Sequence, residues 1–227
     1  MTYVSGADTR ETYVPDRTTT PTRGRHRSTY ERAAVHAALD EALICHLGFV
    51  VDGAPVVLPT IHVRIAERLY LHGSTGARAL RLAADGGLPV CVSVTIVDGL
   101  VLARSAFHHS MNYRSVVAHG TAHLVTDPAE RARALDAIVD HVQPGRSAQC
   151  RPPTGKELAA TAVLALDLER VSAKVRTGDP VDDPEDLAGP WWAGVVPVTV
   201  RRGTPAPSAD LRPGVPGPPP AEALPTG

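Results

Sequence analysis

Short apolar runs alternate with turn residues along most of the chain, and this pattern is typical of an antiparallel β protein. Residues Ile44–Val51 are rich in β-branched and aromatic side chains and end at Asp52-Gly53, a strong two-residue hairpin signal. The returning strand is expected over Pro55–Ile65, and a third strand over Arg68–His72. The spacing of these segments predicts antiparallel pairing between neighbours along the chain.

The rest of the chain continues this alternation, and its turns divide it into further strands. A second hairpin is expected around Asp98-Gly99, followed by a long strand and two later segments; the bounds are Pro89–Val97, Leu100–Arg104, Tyr113–Thr126, Thr161–Val175 and Val195–Arg201. Six or seven antiparallel strands with three or four short helices predict a mainly β fold, a closed or partly closed β-barrel with peripheral α-helices.

Three segments carry helix signals. The first is expected over Thr29–Ala42, where Ser28 fits the N-cap of a capping box ahead of an apolar stripe at helical spacing. A short helix is expected over Ser74–Ala84, because paired glycines follow it. A longer helix is expected over Pro128–Val142, with Asp127 as its cap and proline at its first position.

The two ends of the chain differ from the middle in composition. Residues 1–27 are polar and rich in Thr and Arg, and they predict a flexible N-terminal arm. Residues 204–227 include eight prolines and predict a disordered Pro-rich tail, because proline removes backbone donors and breaks helices and ladders. The folded domain is therefore expected over residues 28–203.

Charge and cysteine content narrow the function classes. The formal net charge of −1 argues against a nucleic-acid binder and against a protein that associates with anionic membranes. Three cysteines without CxxC spacing argue against a disulfide framework or a zinc knot, and no metal site is expected. The N-terminal segment lacks the apolar core of a signal peptide, and Asp98-Gly99 interrupts the longest apolar stretch. We therefore expect a cytoplasmic protein that does not span a membrane.

One segment, at the end of the third predicted strand, carries the features of an anion site. His72 leads into a turn that contains Ser74 and opens a helix, where free N–H groups and the helix dipole favour an anion. Arg78 and Arg81 lie three positions apart on that helix and could clamp a phosphate together. The alternative is a capped surface helix with two solvated arginines.

Two further polar segments lie next to strongly apolar strands and contain candidate site residues. The connection that leads into Tyr113 and Arg114 is rich in His and Asn, and it is a candidate ligand wall or else a plain surface loop. Lys174 alternates with Arg176 on a late strand, so it could neutralise a ligand anion or belong to a charged rim. His119 on the long strand is interpreted as structural. The chain lacks GxGxxG, GxxxxGK[ST], HExxH and GxSxG, which argues against Rossmann, P-loop, zincin and common serine hydrolase chemistry.

The order of these motifs resembles the pyridoxamine-5′-phosphate-oxidase-like flavin proteins. The resemblance rests on Leu-Tyr-Leu-His-Gly-Ser over 69–74 with Arg78 after it, and on Asn-Tyr-Arg-Ser-Val-Val over 112–117. More narrowly, the chain resembles the branch that includes the nitroimidazole-resistance (Nim-type) reductases. The resemblance covers about residues 28–200 and implies an FMN-binding split β-barrel, a homodimer and FMN bound at the dimer interface.

The resemblance also implies a set of site residues. In that family, main-chain groups of one strand line the flavin ring, and the turn and helix start hold the phosphate. Here the ring-lining residues are Val57, Leu58, Pro59 and Thr60, and the phosphate-binding residues are Ser74, Arg78 and Arg81, with Lys174 as a further cofactor-binding candidate. His72 matches a histidine close to the ligand, and His72, Tyr113 and Arg114 are the catalytic candidates. Where family members often carry Ser-Arg-Lys, this chain has Ala77-Arg78-Ala79.

The function implied by the resemblance is an FMN-dependent oxidoreductase that reduces a small electron-poor substrate, a nitroaromatic or a quinone, with NAD(P)H or another electron donor. The Arg-His pair that closes the substrate site of true pyridoxamine-phosphate oxidases is not recognisable, so oxidation of vitamin B6 is not expected. Two alternatives stay open. One is a haem-binding split barrel in which one of ten histidines ligates the iron, and the other is a non-catalytic flavin-binding protein in which FMN only stabilises the dimer.

Overall fold

The computed structural model describes residues 11–218, which contain nine β-strands and four α-helices. The strands are β1 (Ser28–Thr29), β2 (Ile44–Val51), β3 (Ala54–Ile65), β4 (Arg68–Ser74), β5 (Leu88–Leu102), β6 (Ser110–Leu124), β7 (Thr161–Asp167), β8 (Arg170–Arg176) and β9 (Gly194–Pro197). The helices are α1 (Arg32–Glu41), α2 (Arg78–Ala83), α3 (Pro128–Val142) and α4 (Gly155–Ala160).

The strands form one antiparallel sheet that closes on itself. Their order is β1-β8-β6-β7-β4-β3-β2-β5-β9, and β5 also pairs with β6. Strands β2, β3, β4, β7, β6 and β5 therefore form a closed ring, with β8 and β1 added at one place and β9 at another. The predicted fold class, a mainly β barrel with peripheral helices, is confirmed.

The inward side chains of the ring are apolar and fill the barrel. Helix α1 contributes Val35 and Leu39 to the same core. Burying one such side chain contributes roughly 1.5–3 kcal/mol to folding. Members that are at most 4% exposed include Leu47, Leu69, Leu71, Val92, Val94, Val116, Ala118, Leu164 and Leu166.

Helix α3 covers part of the barrel's outside. Its Ala134 and Ile138 pack on Val63, Tyr70 and Val163, which lie on β3, β4 and β7. The helix has the predicted bounds, and the side chain of its N-cap residue accepts hydrogen bonds from the next two free backbone N–H groups. Within residues 11–218, no helix is long and apolar enough to cross a lipid bilayer.

The expected hairpin around Asp98-Gly99 is wrong, because β5 runs unbroken through it. The register against β6 shifts between Val97 and Gly99, and pairing then resumes. The Asp98 carboxylate accepts hydrogen bonds from Arg114 on β6. A long partner strand thus turns the dipeptide into a bulge. The segment Thr161–Val175, expected as one strand, is divided by a bend at residues 168–169 into β7 and β8, which pair with successive parts of β6.

The predicted capping box at Ser28 is also wrong. Ser28 belongs to β1 and pairs with Lys174 of β8, so the chain is still extended there. Helix α1 begins three residues later than expected, after Glu31, which makes no side-chain cap hydrogen bond. Sheet pairing with a distant strand has therefore overridden a local helix signal.

Residues 11–31, which we call the strap, pack against the barrel. Tyr13 is only 3% exposed, and its hydroxyl donates a 2.8 Å hydrogen bond to Glu67. Burial and the bond to Glu67 raise the pKa of the Tyr13 phenol. This part of the predicted flexible arm is thus packed, whereas residues 1–10 lie outside the described part of the chain.

The proline-rich end is different. Residues 204–218 are exposed throughout and form neither helix nor strand. The remainder of the predicted tail, residues 219–227, lies outside the described residues. Just before this segment, Arg202 donates 2.7 Å hydrogen bonds to Val142 and Gln143 at the end of α3.

Candidate functional site

The outer face of β2 and β3 carries half of the predicted ring-lining residues. In an antiparallel pair, directly opposed residues point to the same side of the sheet. Leu47 is buried in the core and pairs with Leu58, whereas the next residue of β2 pairs with Val57. Val57 is 62% exposed. The side chains of Val57 and of Pro59, two residues further on, therefore lie outside the barrel.

The other two predicted ring-lining residues belong to the inner side of β3. Thr60 pairs with Cys45, which is completely buried, and Leu58 pairs with an inward leucine. Their side chains do not join those of Val57 and Pro59. Any contribution of Leu58 and Thr60 to a ligand on the outer face is limited to backbone groups.

Strand β4 adds His72 to the outer face. Its strand partner Val163 is buried against α3, so His72 points to the same outer side at the edge of that contact. The ring is half-buried, and its Nδ1 is buried without a hydrogen-bond partner among residues 11–218. An imidazole without a protein partner is available to a ligand or a metal.

These residues form one continuous surface, the open face, which we define as Ile44, His46, Val57, Pro59, Ile61, His72 and Ser74. It is mainly apolar, and Ile44 and Val57 are 46% and 62% exposed. It carries two imidazoles, those of His72 and His46. The His46 side chain points outward because His46 pairs with the outward Pro59. Exposed apolar patches of this kind mark ligand or partner sites.

The turn beside the open face differs from the prediction. Ser74 Oγ accepts a hydrogen bond from the Gly76 N–H, and α2 begins only at Arg78, with uncapped Ala77 before it. Because Ser74 and the residues after it form a turn first, the helix is six residues long and its dipole is weak. Arg78 and Arg81 are exposed and make no ion pair within residues 11–218. Their guanidinium groups can approach a ligand on this side.

The structure separates the other two catalytic candidates from His72. Arg114 points opposite to Tyr113, and its guanidinium binds Glu41 at 2.8 Å and Asp98 at 2.7 Å. These two carboxylates raise the pKa of Arg114. Arg114 therefore ties the end of α1 to the bulge in β5. Tyr113 faces away from it, and strand β7 lies between β6 and the strand of His72.

Lys174 lies in a different place, under the strap. A pocket of about 200 Å³ lies between the strap and the outer faces of β6 and β8. We call it the strap pocket, and its lining residues are Thr18, Thr19, Pro21, Ser115, Val117, His119, Ser172 and Lys174. The structure thus places Lys174 beside hydroxyl groups and a histidine, and not beside Arg78.

Sequence reasoning missed most of this pocket. His119 was interpreted as structural, yet it lines the pocket with Ser115 on the same strand. The signal was present, because Ser115, Val117 and His119 alternate on β6 opposite Lys174, Ser172 and Arg170 of β8. The wall formed by the strap could not be found, since the strap was expected to be mobile.

The closed barrel with its covered and uncovered outer surfaces defines a class, the split-barrel fold of flavin-binding proteins. A family model described as pyridoxamine 5′-phosphate oxidase matches residues 31–175. The chain belongs to this family. A comparison with curated proteins found no match.

Two solved structures are similar to almost the whole chain. The flavocytochrome Anf3 from Azotobacter vinelandii is 39% identical, with a TM-score of 0.85, and the match covers 91% of this chain and 95% of that one. The FAD and haem binding protein from Mycobacterium smegmatis is 42% identical, with a TM-score of 0.80, and the match covers 85% and 94%.

A third structure bears on the narrower resemblance. A protein from Bacteroides thetaiotaomicron, described as a putative 5-nitroimidazole antibiotic resistance protein, is 19% identical with a TM-score of 0.55, and the match covers 65% of this chain and 86% of that one. At this identity the likeness shows the fold alone. Membership of the Nim-type branch therefore stays a prediction.

Proposed function

We propose that this protein binds a flavin and a haem on the outer surface of the barrel and passes electrons between them. The observation that carries the proposal is the identity of 39% and 42%, over most of the chain, with a flavocytochrome and with an FAD and haem binding protein. The sequence predicts flavin binding, with haem binding as an alternative, and we now propose both for the same protein. FMN and FAD are both open as the flavin.

The open face suits a flavin. Its exposed apolar side chains, Val57 and Ile44 among them, offer a surface on which a flat aromatic ring would pack. Arg78 and Arg81 lie on α2, which begins after a three-residue turn from Ser74, the last strand residue of the face. A guanidinium without an ion pair binds phosphate through strong, often bidentate hydrogen bonds, so these arginines would hold the flavin phosphate.

His72 is the residue that would hold the haem iron. Histidine is a common axial ligand of haem. The His72 ring is half-buried on an apolar surface, and its Nδ1 has no partner in the described chain. His46 is the second imidazole of the open face, but it is exposed to solvent. Burial favours His72, because exclusion of water stabilises a metal–ligand bond and tunes its potential.

The same surface supports a homodimer. Isologous two-fold pairing is the commonest arrangement of soluble oligomers, and it brings one patch against its copy. The exposed side chains of Ile44, Val50 and Val57 would lose contact with water in such a pair. A second copy would also cover the cofactors and exclude solvent from them.

The chain itself would position the two cofactors, supply positive charge to the flavin phosphate and exclude water from the cofactors. A flavin held there would supply hydride-accepting chemistry and a haem would supply single-electron exchange, so together they would link a two-electron donor to one-electron steps. Val57 and Ile44 would exclude water where a cofactor covers them, Arg78 and Arg81 would supply positive charge, and His72 would provide a nitrogen ligand. NAD(P)H as donor and a small-molecule acceptor remain predictions.

The reduction of a nitroaromatic or a quinone is the finer prediction of the sequence resemblance. A bound flavin would support this reaction. The proposal itself needs only the two cofactors, and the acceptor is left to experiment.

Anaerobic reduction tests electron transfer between the cofactors. The purified protein is mixed with NADH or NADPH without oxygen, and the flavin and haem absorbances are followed together. We expect the flavin band to bleach first and the haem spectrum to change to the ferrous form afterwards. A flavin that is reduced while the haem stays ferric, although dithionite reduces both, would contradict electron transfer. Flavin that no nicotinamide reduces would favour the non-catalytic alternative.

A further inference from the structure

The strap pocket is a built cavity separate from the open face. Its volume of about 200 Å³ far exceeds the roughly 10–15 Å³ that one water requires. The floor comes from two neighbouring strands, and the wall from residues more than ninety positions earlier in the chain. Thr19 in that wall is only 3% exposed.

The lining of the pocket is positive and rich in hydroxyl groups. Lys174 is a lining residue and makes no ion pair within residues 11–218. No carboxylate belongs to the described lining, which supplies the hydroxyls of Ser115 and Ser172 as donors, since those of Thr18 and Thr19 already donate to Asp16. An unpaired ammonium among neutral donors attracts an anion.

A further hydroxyl near Lys174 lacks a partner. Ser28 of β1 pairs directly with Lys174 in the sheet, so the two side chains point to the same side. The Oγ of Ser28 is buried without a hydrogen-bond partner in the described chain. A buried polar atom of this kind costs free energy unless a ligand or a water satisfies it.

The carboxylate nearest to the pocket wall is already bound. Asp16 accepts hydrogen bonds from the Thr18 hydroxyl and, at 2.7 Å, from the Arg170 guanidinium. The hydroxyl, the Thr19 N–H and Arg170 hold the pKa of Asp16 well below its usual range. Arg170 also donates to Thr18 at 2.7 Å. This ion pair fixes the strap over the pocket and leaves Lys174 as the uncompensated charge.

We propose that the strap pocket is an anion-binding site for a small phosphate-bearing molecule, with Lys174 as its counter-charge and the surrounding hydroxyls as its donors. Lysine binds phosphate as a point charge, and hydroxyl donors complete the shell of a tetrahedral oxyanion. The site is distinct from the proposed flavin and haem surface, because it lies on β6 and β8 beneath the strap. It therefore stands whether or not those cofactors bind.

The chain offers a matched chemical test, since Lys156 and Lys174 are its only lysines. Pyridoxal 5′-phosphate serves as the probe on the protein as purified. Its aldehyde condenses with a lysine amine and releases water, and added borohydride reduces the resulting imine to a stable secondary amine. Peptide mass analysis then gives the ratio of labelling at Lys174 to that at Lys156, which lies on the exposed helix α4. Pyridoxal without the phosphate is the reference probe.

We expect the phosphate to raise the Lys174:Lys156 ratio at least about tenfold over that obtained with pyridoxal, which corresponds to a charge-assisted contact of about 1.4 kcal/mol. Ser172→Ala should reduce this preference several-fold, while Ser93→Ala, on the same outer face but outside the lining, should leave it unchanged. Protection by inorganic phosphate would show that the free ion suffices, and protection only by a phosphate ester such as glycerol 3-phosphate would assign the site to organic phosphates. An equal ratio for both probes would overturn the proposal.

Discussion

The open face and the strap pocket lie on the outside of the same sheet, yet they differ in chemistry. Both are built on strands that alternate inward apolar side chains with outward ones. On β2 and β3 the outward residues include Ile44 and Val57, whereas on β6 and β8 they include Ser115 and Ser172. The shared inward residues build the barrel, and the outward residues decide which ligand each surface can take.

The two regions also differ in what covers them. The strap lies over β8 and buries Thr19 to 3% exposure, while Val57 on the open face is 62% exposed. One site is therefore complete within a single chain. The other leaves apolar surface in water, which a cofactor or a second copy would remove. The exposed apolar surface makes the open face the side on which we propose that assembly covers the cofactors.

The largest expected effect is the loss of haem from the open face. His72→Gln removes the proposed iron ligand, so the Soret band should disappear while the flavin band remains. His46→Gln is the control on the same face and should keep both bands. The measurement is the absorbance spectrum of each purified variant. Retention of the Soret band by His72→Gln, with its loss in His46→Gln, would move the ligand across the face to β2.

A charge on the open face should break the dimer. Val57→Asp places a carboxylate in an apolar contact, which costs about 4 kcal/mol or a thousandfold in the dimer dissociation constant. Val181→Asp, at a site that is 77% exposed in a loop, should leave the dimer intact. Light scattering across a dilution series distinguishes the two. A wild-type protein that is monomeric with its cofactors bound would contradict the shared-interface account.

Acid should destabilise the barrel through the buried His62 while leaving the ion pair of the strap intact. His62 is fully buried on β3, and its Nε2 lies 2.9 Å from the Leu39 carbonyl oxygen. Burial, with the neighbouring His141, lowers the pKa of His62 to about 4, against 6.5 in the unfolded chain. The folded state thus binds fewer protons, so this contribution is complete above pH 6.5 and is lost as the pH falls toward 4. The free energy of unfolding should drop by about 3 kcal/mol over that range.

Denaturant unfolding at several pH values measures this slope. His62→Gln, whose amide can still donate to the Leu39 carbonyl, should flatten the slope, and His46→Gln should not. The ion pair between Asp16 and Arg170 should survive the same acid range, because the pKa of Asp16 lies well below its usual value. An unchanged slope in His62→Gln would show that other groups carry the acid sensitivity.

Sequence reasoning predicted the elements whose determinants are local. The hairpin at Asp52-Gly53 formed because both residues take the positive φ angles, 50° and 79°, of the expected tight turn. Helix α3 formed because its cap and its first proline act within one turn.

The failures all involve partners far away in sequence. Asp98-Gly99 has the same turn chemistry as the successful hairpin, but the long strand β6 and Arg114 hold it as a bulge. The strap was expected to be mobile because of its polar composition, which does not reveal that Tyr13 is anchored by Glu67, 54 residues further along the chain. The strap pocket was missed for the same reason, since its wall, formed by Thr18, Thr19 and Pro21, belongs to the strap.

The smallest expected effect concerns the strap itself. Arg170→Ala removes the bonds to Asp16 and Thr18, and the free energy of unfolding should fall by less than about 1 kcal/mol because the pair is partly exposed. Proteolysis within residues 11–31 should nevertheless become faster, while flavin and haem content stays unchanged. Arg151→Ala, which removes another exposed pair with Glu157, is the control. Loss of cofactor in Arg170→Ala would mean that the two regions are not independent.

The absorbance spectrum of the protein as purified tests the central claim most directly. The protein is passed over a sizing column, and its spectrum is recorded across the peak together with the protein absorbance. The account predicts flavin bands and a Soret band that rise and fall with the protein in a constant ratio. A peak that carries neither chromophore, and that takes up neither added flavin nor added haem, would contradict it.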